Sequence, residues 1–173
     1  GRLLDDGELG RAKAEVYAQR YANFRSGLCV EAKFIDASCE AEVEGVTFAF
    51  VCVDKGSARS AIFDLLLAKK IPFIDVGMGL NRKRDALSGM ARVTYYPADT
   101  GAEVRAKDYA EMVDAPGDEY RANVQISELN ALNASLAVLR YKQLRGFYVD
   151  DGNLVHALFD VTDLKLQGKT LVG

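Results

Sequence analysis

The spacing of apolar residues changes period several times along this 173-residue chain, and each change marks an expected element. Leu9, Ala12, Val16, Tyr17, Tyr21 and Phe24 recur at three- and four-residue steps, which predicts one face of an amphipathic helix. Asp5 or Asp6 opens it, Glu8 lies in its first turn and Ser26-Gly27 ends it. Leu28 to Ile35 alternates as a strand does, and Asp36 to Gly45 reads as an acidic connection. Val46 to Val53 is almost continuously apolar, β-branched or aromatic, the pattern of a strand buried on both faces of a parallel sheet. Asp54-Lys55-Gly56 closes it. A helix from Ser57 to Lys69 follows, with Ala58, Ile62, Leu65 and Leu66 inward, and then a short strand, Ile71 to Val76, running into Gly77-Met78-Gly79. Strand, helix and strand in so short a span make a βαβ unit with a right-handed crossover.

Beyond it, the charged stretch Asn81 to Ser88 reads as an exposed loop and Ala91 to Tyr96 as a strand stopped by Pro97. Residues 97–119 hold Pro97, Gly101, Pro116 and Gly117 around a helical piece near Ala106 to Val113, and are expected to form a mobile connection. Ser127 to Leu144 is a long helix whose leucines and alanines leave few polar sides, so burial on most sides is expected. Phe147 to Leu166 reads as a hairpin turning at Asp150-Asp151-Gly152-Asn153. The expected fold is one α/β domain over residues 1–173. Its sheet is Rossmann-like and mostly parallel, incomplete at its N-terminal side, with a long packed helix and a C-terminal β-hairpin.

Charge and composition narrow the chemistry. Lys and Arg total 22 against 25 Asp and Glu, a net −3, which argues against a nucleic-acid binder built on a basic face. No apolar run approaches the roughly 20 residues of a membrane span, and no signal peptide opens the chain. The first methionine is Met78 behind an initial Gly1, so the sequence is expected to be a processed, cleaved or subcloned piece. Any Cys–His dyad, Ser–His–Asp triad or histidine metal site would have to use the single histidine, His156. Cys29, Cys39 and Cys52 show no CxxC spacing, which removes a zinc site made of cysteine pairs. Cys29 and Cys52 lie in apolar runs and read as buried, reduced thiols, hence a reducing, cytoplasmic compartment.

Asp54 follows a buried strand and precedes a glycine and a helix. Ligands of open α/β sheets collect beyond the carboxyl ends of strands, so Asp54 either faces a ligand or caps the turn. Asp75, between apolar neighbours, reads as structural. Gly10-Arg11-Ala12-Lys13 opens a helix, where amides and dipole favour anions, and Lys13 is either a phosphate ligand or a solvated side chain. Gly77-Met78-Gly79 does not match a phosphate loop. Arg82-Lys83-Arg84 reads as a solvated run, His156 as a hydrogen-bonded structural histidine, and Tyr95 and Tyr96 as packing.

Four stretches in order resemble the ThiF/MoeB-like adenylyltransferases, the superfamily that includes the ubiquitin-activating enzymes. They are Gly10-Arg-Ala-Lys13, Phe50-Val-Cys-Val-Asp54 with Arg59 downstream, Ile71 to Gly77, and the long helix Leu129 to Lys142 before a terminal hairpin. The resemblance implies that Lys13 contacts ATP phosphates, that Asp54 lies near the phosphates and Mg2+, and that Arg59 is structural or peripheral. It implies attack by a carboxylate on the α-phosphate of ATP, giving an acyl-adenylate and pyrophosphate. The expected substrate is the C-terminus of a ubiquitin-like or sulfur-carrier-like protein, and a homodimer is expected. The family's glycine-rich loop, its ribose-binding acid and its arginine-bearing segment have no counterpart here, so the piece alone is expected to bind ATP weakly. Two other readings stay open: a non-catalytic binding or dimerisation module, and part of an NAD- or FAD-binding protein.

Overall fold

A computed structural model describes residues 5–113 and 126–171. The chain forms two compact units, Gly1–Ile35 and Asp36–Gly173.

The first unit is small. Asp5 accepts a 2.9 Å bond from the Gly7 amide and starts a 3-10 turn, Asp6–Glu8. Gly10, with φ of 81°, breaks the chain before helix α1, Lys13–Tyr21. The single amphipathic helix expected from Asp5 is therefore two pieces, joined by an Arg20–Glu8 ion pair at 2.7 Å. Leu28 to Ile35 is extended but belongs to no strand, which corrects the alternation-based expectation. Alternation marks a strand only when a neighbouring strand takes its backbone groups.

The second unit carries a five-stranded sheet in the order β1-β2-β3-β4-β5. Its strands are β1 Ala49–Val51, β2 Phe73–Lys83, β3 Ala86–Tyr96, β4 Leu154–Asp160 and β5 Lys165–Thr170. The α/β class, the long helix and the terminal hairpin all stand as expected. Parallel pairing is confined to β1 and β2, the βαβ unit closed by helix α2, Gly56–Ala68. The other three pairings are antiparallel, making the sheet mixed. The reason lies at Asn81 to Ser88, expected to be a loop. β2 and β3 run through that stretch as one long hairpin, paired from Phe73↔Tyr96 to Lys83↔Ala86, with Arg84 at φ 58° in the turn. A two-residue turn can only reverse the chain.

Helices cover both faces. On one, Phe63 and Leu66 of α2 and Val104 of helix α3, Gly101–Arg105, close over Val51, Phe73 and Tyr96. Phe63, Phe73 and Tyr96 are fully buried, with Phe73 and Tyr96 stacked at 4.5 Å and Phe63 edge-on to each at 4.7 Å. Burying such a side chain contributes about 2–3 kcal/mol. On the other face helix α4, Ser127–Leu144, packs Leu136, Ala137, Tyr141 and Leu144 on Ile74, Val93 and Ala157. Its buried residues form one stripe, Leu129, Asn133, Ala137 and Arg140, while Val138 and Leu139 face solvent. The helix is thus buried along one side rather than most, because it has a sheet on one side.

The terminal hairpin turns at residues 161–164, not at Asp150 to Asn153. Asp150 instead pairs with Arg140 of α4 at 2.8 Å. The helical piece expected at Ala106 to Val113 lies earlier, at α3; the end of the expected mobile connection, with Pro116 and Gly117, falls outside the described residues.

Candidate functional site

β1 ends at Val51; Val53 packs against the core, the chain bends at Asp54, and Lys55 takes the N-cap position of α2. Lys55 supplies no side-chain cap. Gly56 opens the helix with Val113 against it: a β-carbon at Gly56 would lie 2.7 Å from the Val113 backbone nitrogen and oxygen. Asp54 is exposed and makes no hydrogen bond or ion pair among the described residues. The capping alternative therefore has no bond behind it. A free carboxylate sits beyond the carboxyl end of a parallel strand, beside an uncapped helix N-terminus.

Beneath that turn lies a charge cluster that the sequence does not advertise. Arg59, one turn into α2, is buried and uses all three guanidinium nitrogens. Nε donates to Asp75 Oδ1 at 3.0 Å, Nη1 to the Glu111 carbonyl at 3.1 Å, and Nη2 to the Val53 carbonyl at 2.5 Å. Asp75 is fully buried in β2, and its second oxygen takes a 2.5 Å bond from Arg92 Nη2. A carboxylate is tolerated there because both oxygens meet cations. Arg59, read as structural or peripheral, is the structural hub of the cluster; Arg92, hidden in an apolar strand, gave no signal. Only the five-residue step from Asp54 to Arg59 could have pointed to this cluster.

Arg92 Nη1 also donates to Thr94 Oγ1 at 3.0 Å, and that oxygen lies 3.0 Å from His156 Nδ1. The Thr94 hydroxyl accepts from Arg92 with one lone pair and retains a proton that it can donate to Nδ1 of a neutral imidazole. Burial, then the Arg92 and Lys169 charges, push the His156 pKa down to about 4. Tyr109 stacks on the ring at 4.0 Å. The histidine is thus a packed, hydrogen-bonded core residue.

Lys13 is the exposed first residue of α1, in the first unit, whereas Asp54 belongs to the second. Tyr95 and Tyr96 pack in the two core clusters as expected. Cys29 and Cys52 are exposed and Cys39 is buried, the reverse of the expectation for the first two. Cys29 lies in the extended segment and Cys52 just past the short β1, so neither gains a covering layer. Among the described residues no group of three His, Cys, Asp or Glu could hold a metal. Mg2+ is commonly held by one or two carboxylates plus substrate phosphates, and Asp54 is the carboxylate this turn offers. A cavity of about 560 Å3 beside Tyr95, Pro97, Arg140 and Asp150 lies at the opposite strand ends, with Arg140 already committed to Asp150.

No family model matches the sequence, and no curated protein matches it. The fold is similar to that in the crystal structure of selenomethionine PaaA, with a TM-score of 0.59 at 16% identity, over 97% of this chain. That likeness covers 58% of the PaaA chain, so this chain spans less than two thirds of its neighbour. At such identity the comparison speaks to architecture alone, and it supports the α/β arrangement of sheet, long helix and hairpin. No described helix is long and apolar enough to cross a membrane.

Proposed function

We propose that this chain is part of an ATP-dependent adenylating domain of the ThiF/MoeB-like kind. It would activate a carboxylate, the C-terminus of a ubiquitin-like or sulfur-carrier-like protein. The observation that carries the reading is the free Asp54 carboxylate beyond the carboxyl end of parallel β1, where α/β sheets place their ligands. Support also comes from the order of the four stretches that resemble the family.

Each residue then has a physical task. Asp54 offers an oxygen to a magnesium ion carried on the triphosphate. The uncapped N-terminus of α2 presents its dipole to the same anion. Lys13, at the start of α1 in the first unit, keeps the phosphate contact that the resemblance implies for it. Mg2+, when bound, neutralises charge gathering on the departing pyrophosphate. The expected assembly is a homodimer in a cytoplasmic setting.

The test is ATP–pyrophosphate exchange by the full-length protein that carries this chain. Magnesium-dependent exchange, stimulated by a carrier protein ending in a free carboxylate, is the expected result. Absence of exchange, with undiminished binding of a protein partner, would favour the non-catalytic module.

A further inference from the structure

We infer that Arg59 is the positioning residue of the Asp54 turn, an assignment whose catalytic consequence, though not its geometry, rests on the adenylation reading. The Val53 carbonyl that Arg59 holds at 2.5 Å belongs to the peptide plane that also contains the Asp54 nitrogen. Fixing that plane fixes the direction in which the chain delivers Asp54. The Glu111 carbonyl, held at 3.1 Å, ties down the segment whose Val113 backbone rests on Gly56. One side chain thereby joins the strand end before Asp54 to the backbone that packs on the glycine after it.

Three acceptors around one cation need a planar fork, and lysine cannot reproduce it. The fork is itself aimed. Asp75 grips Nε from one oxygen, and Arg92 grips the other oxygen. Arg92 lies opposite Gly77 in the ladder, and a β-carbon at Gly77 would fall 2.5 Å from its Nη2. The dependence runs from Gly77 through Arg92 and Asp75 to Arg59, and so to the Val53–Asp54 peptide. Two guanidinium groups on one carboxylate also leave an excess positive charge under the strand end, where a polyphosphate would lie.

The experiment compares unmodified protein, Arg59→Lys, Gly77→Ala and Asp54→Asn, each as the full-length protein. Carbonyl and amide NMR shifts give a readout independent of activity. Arg59→Lys is expected to move the Val53 and Glu111 carbonyl shifts and the Asp54 amide while leaving Ile74, Val93 and Ala157 in place. Gly77→Ala should move the same signals by less. In exchange kinetics Arg59→Lys should lower kcat about tenfold with the KM for ATP within about threefold, since Asp54 is misdirected rather than lost. Unmoved Val53 and Glu111 shifts, or shifts spread evenly over the sheet, would overturn the assignment. Should Arg59→Lys fail to fold, scalar coupling across the Arg59–Val53 hydrogen bond in the unmodified protein decides: its presence supports the anchor and its absence removes it. If Asp54→Asn keeps full exchange, the adenylation role of Asp54 falls, while the shift data still judge Arg59.

Discussion

Arg92 faces Gly77 across the β2–β3 ladder, and its guanidinium fills the space a side chain at 77 would need. The glycine is there for room and not for a turn. Gly77→Ala should push the Arg92 tip aside and cost Asp75 one of its two cations, a loss of about 1–3 kcal/mol. Urea unfolding followed by circular dichroism measures it; an unchanged midpoint would show that Arg92 reaches Asp75 by another path.

Removing the carboxylate should be worse. Asp75→Asn leaves the buried Arg59 and the largely covered Arg92 without a counter-charge, and breaking such a pair from one side costs about 3–5 kcal/mol. Replacing Asp64, whose exposed carboxylate meets Arg105 at the surface, should cost less than about 1 kcal/mol. Equal losses for the two variants would contradict the assigned burial.

Acid should find His156. Its pKa in the fold is about 4, below the ordinary 6.5, so the unfolded chain binds the extra proton between those values. Stability from this group is complete above about pH 6.5 and drains away as pH falls toward 4, by up to about 3 kcal/mol. Carboxylates titrate over part of that range, so the measurement is the difference between the protein and His156→Asn, whose stability should depend less on pH. Parallel pH curves would mean that His156 is not held neutral.

Asp54 tests the chemistry. Asp54→Asn preserves size and touches no bond in the fold, so the melting temperature should hold within about 1 °C. A lost metal contact should lower ATP–pyrophosphate exchange a hundredfold or more, about 2.7 kcal/mol at roughly 1.4 kcal/mol per tenfold. A lowered melting temperature with exchange intact would return Asp54 to a structural role. Lys13→Met, at an exposed helix position, is the companion variant and should weaken ATP binding without unfolding α1.

Association follows from the sheet. Among the described residues β1 pairs with β2 alone and its other edge has no partner strand, with its own Phe50 exposed. Light scattering at tens of micromolar is expected to report a dimer or larger species; a clean monomer would count against it.

What the sequence made legible follows from what short-range pattern can encode. Of the strand expected over Val46 to Val53, buried on both faces, only Ala49–Val51 forms, with Phe50 exposed at the end of the sheet. The order β1–α2–β2 and the helix α4 were still readable because their apolar runs are long and end in turn residues. The hairpin through Asn81 to Ser88 was not, because charge marks exposure, and a strand beyond the helical layers is as exposed as a loop. The exposed place of Asp54 after a strand was legible from its position in the sequence. The Arg59–Asp75–Arg92 cluster was not, since it joins residues brought together only by strand register. Asp150 misled for a related reason: a turn-like tetrad spends its first carboxylate on Arg140, a partner in another element.

The β2–β3 hairpin reaches well past its support. β1 pairs with β2 only as far as Asp75, and β4 pairs with β3 only from Met90 to Thr94. From Leu80 to Gly89 two strands continue with neither β1 nor β4 paired alongside among the described residues, except where the Val161 amide meets the Gly89 carbonyl at 3.0 Å. A lone pair of strands is marginal in water. Its amides should therefore trade protons with solvent by opening locally, long before those of Phe73 to Asp75, which wait for the whole unit to unfold. The hairpin thus holds a gradient of protection along a single pair of strands, steep enough for deuterium uptake to trace residue by residue where the sheet's cooperative core ends.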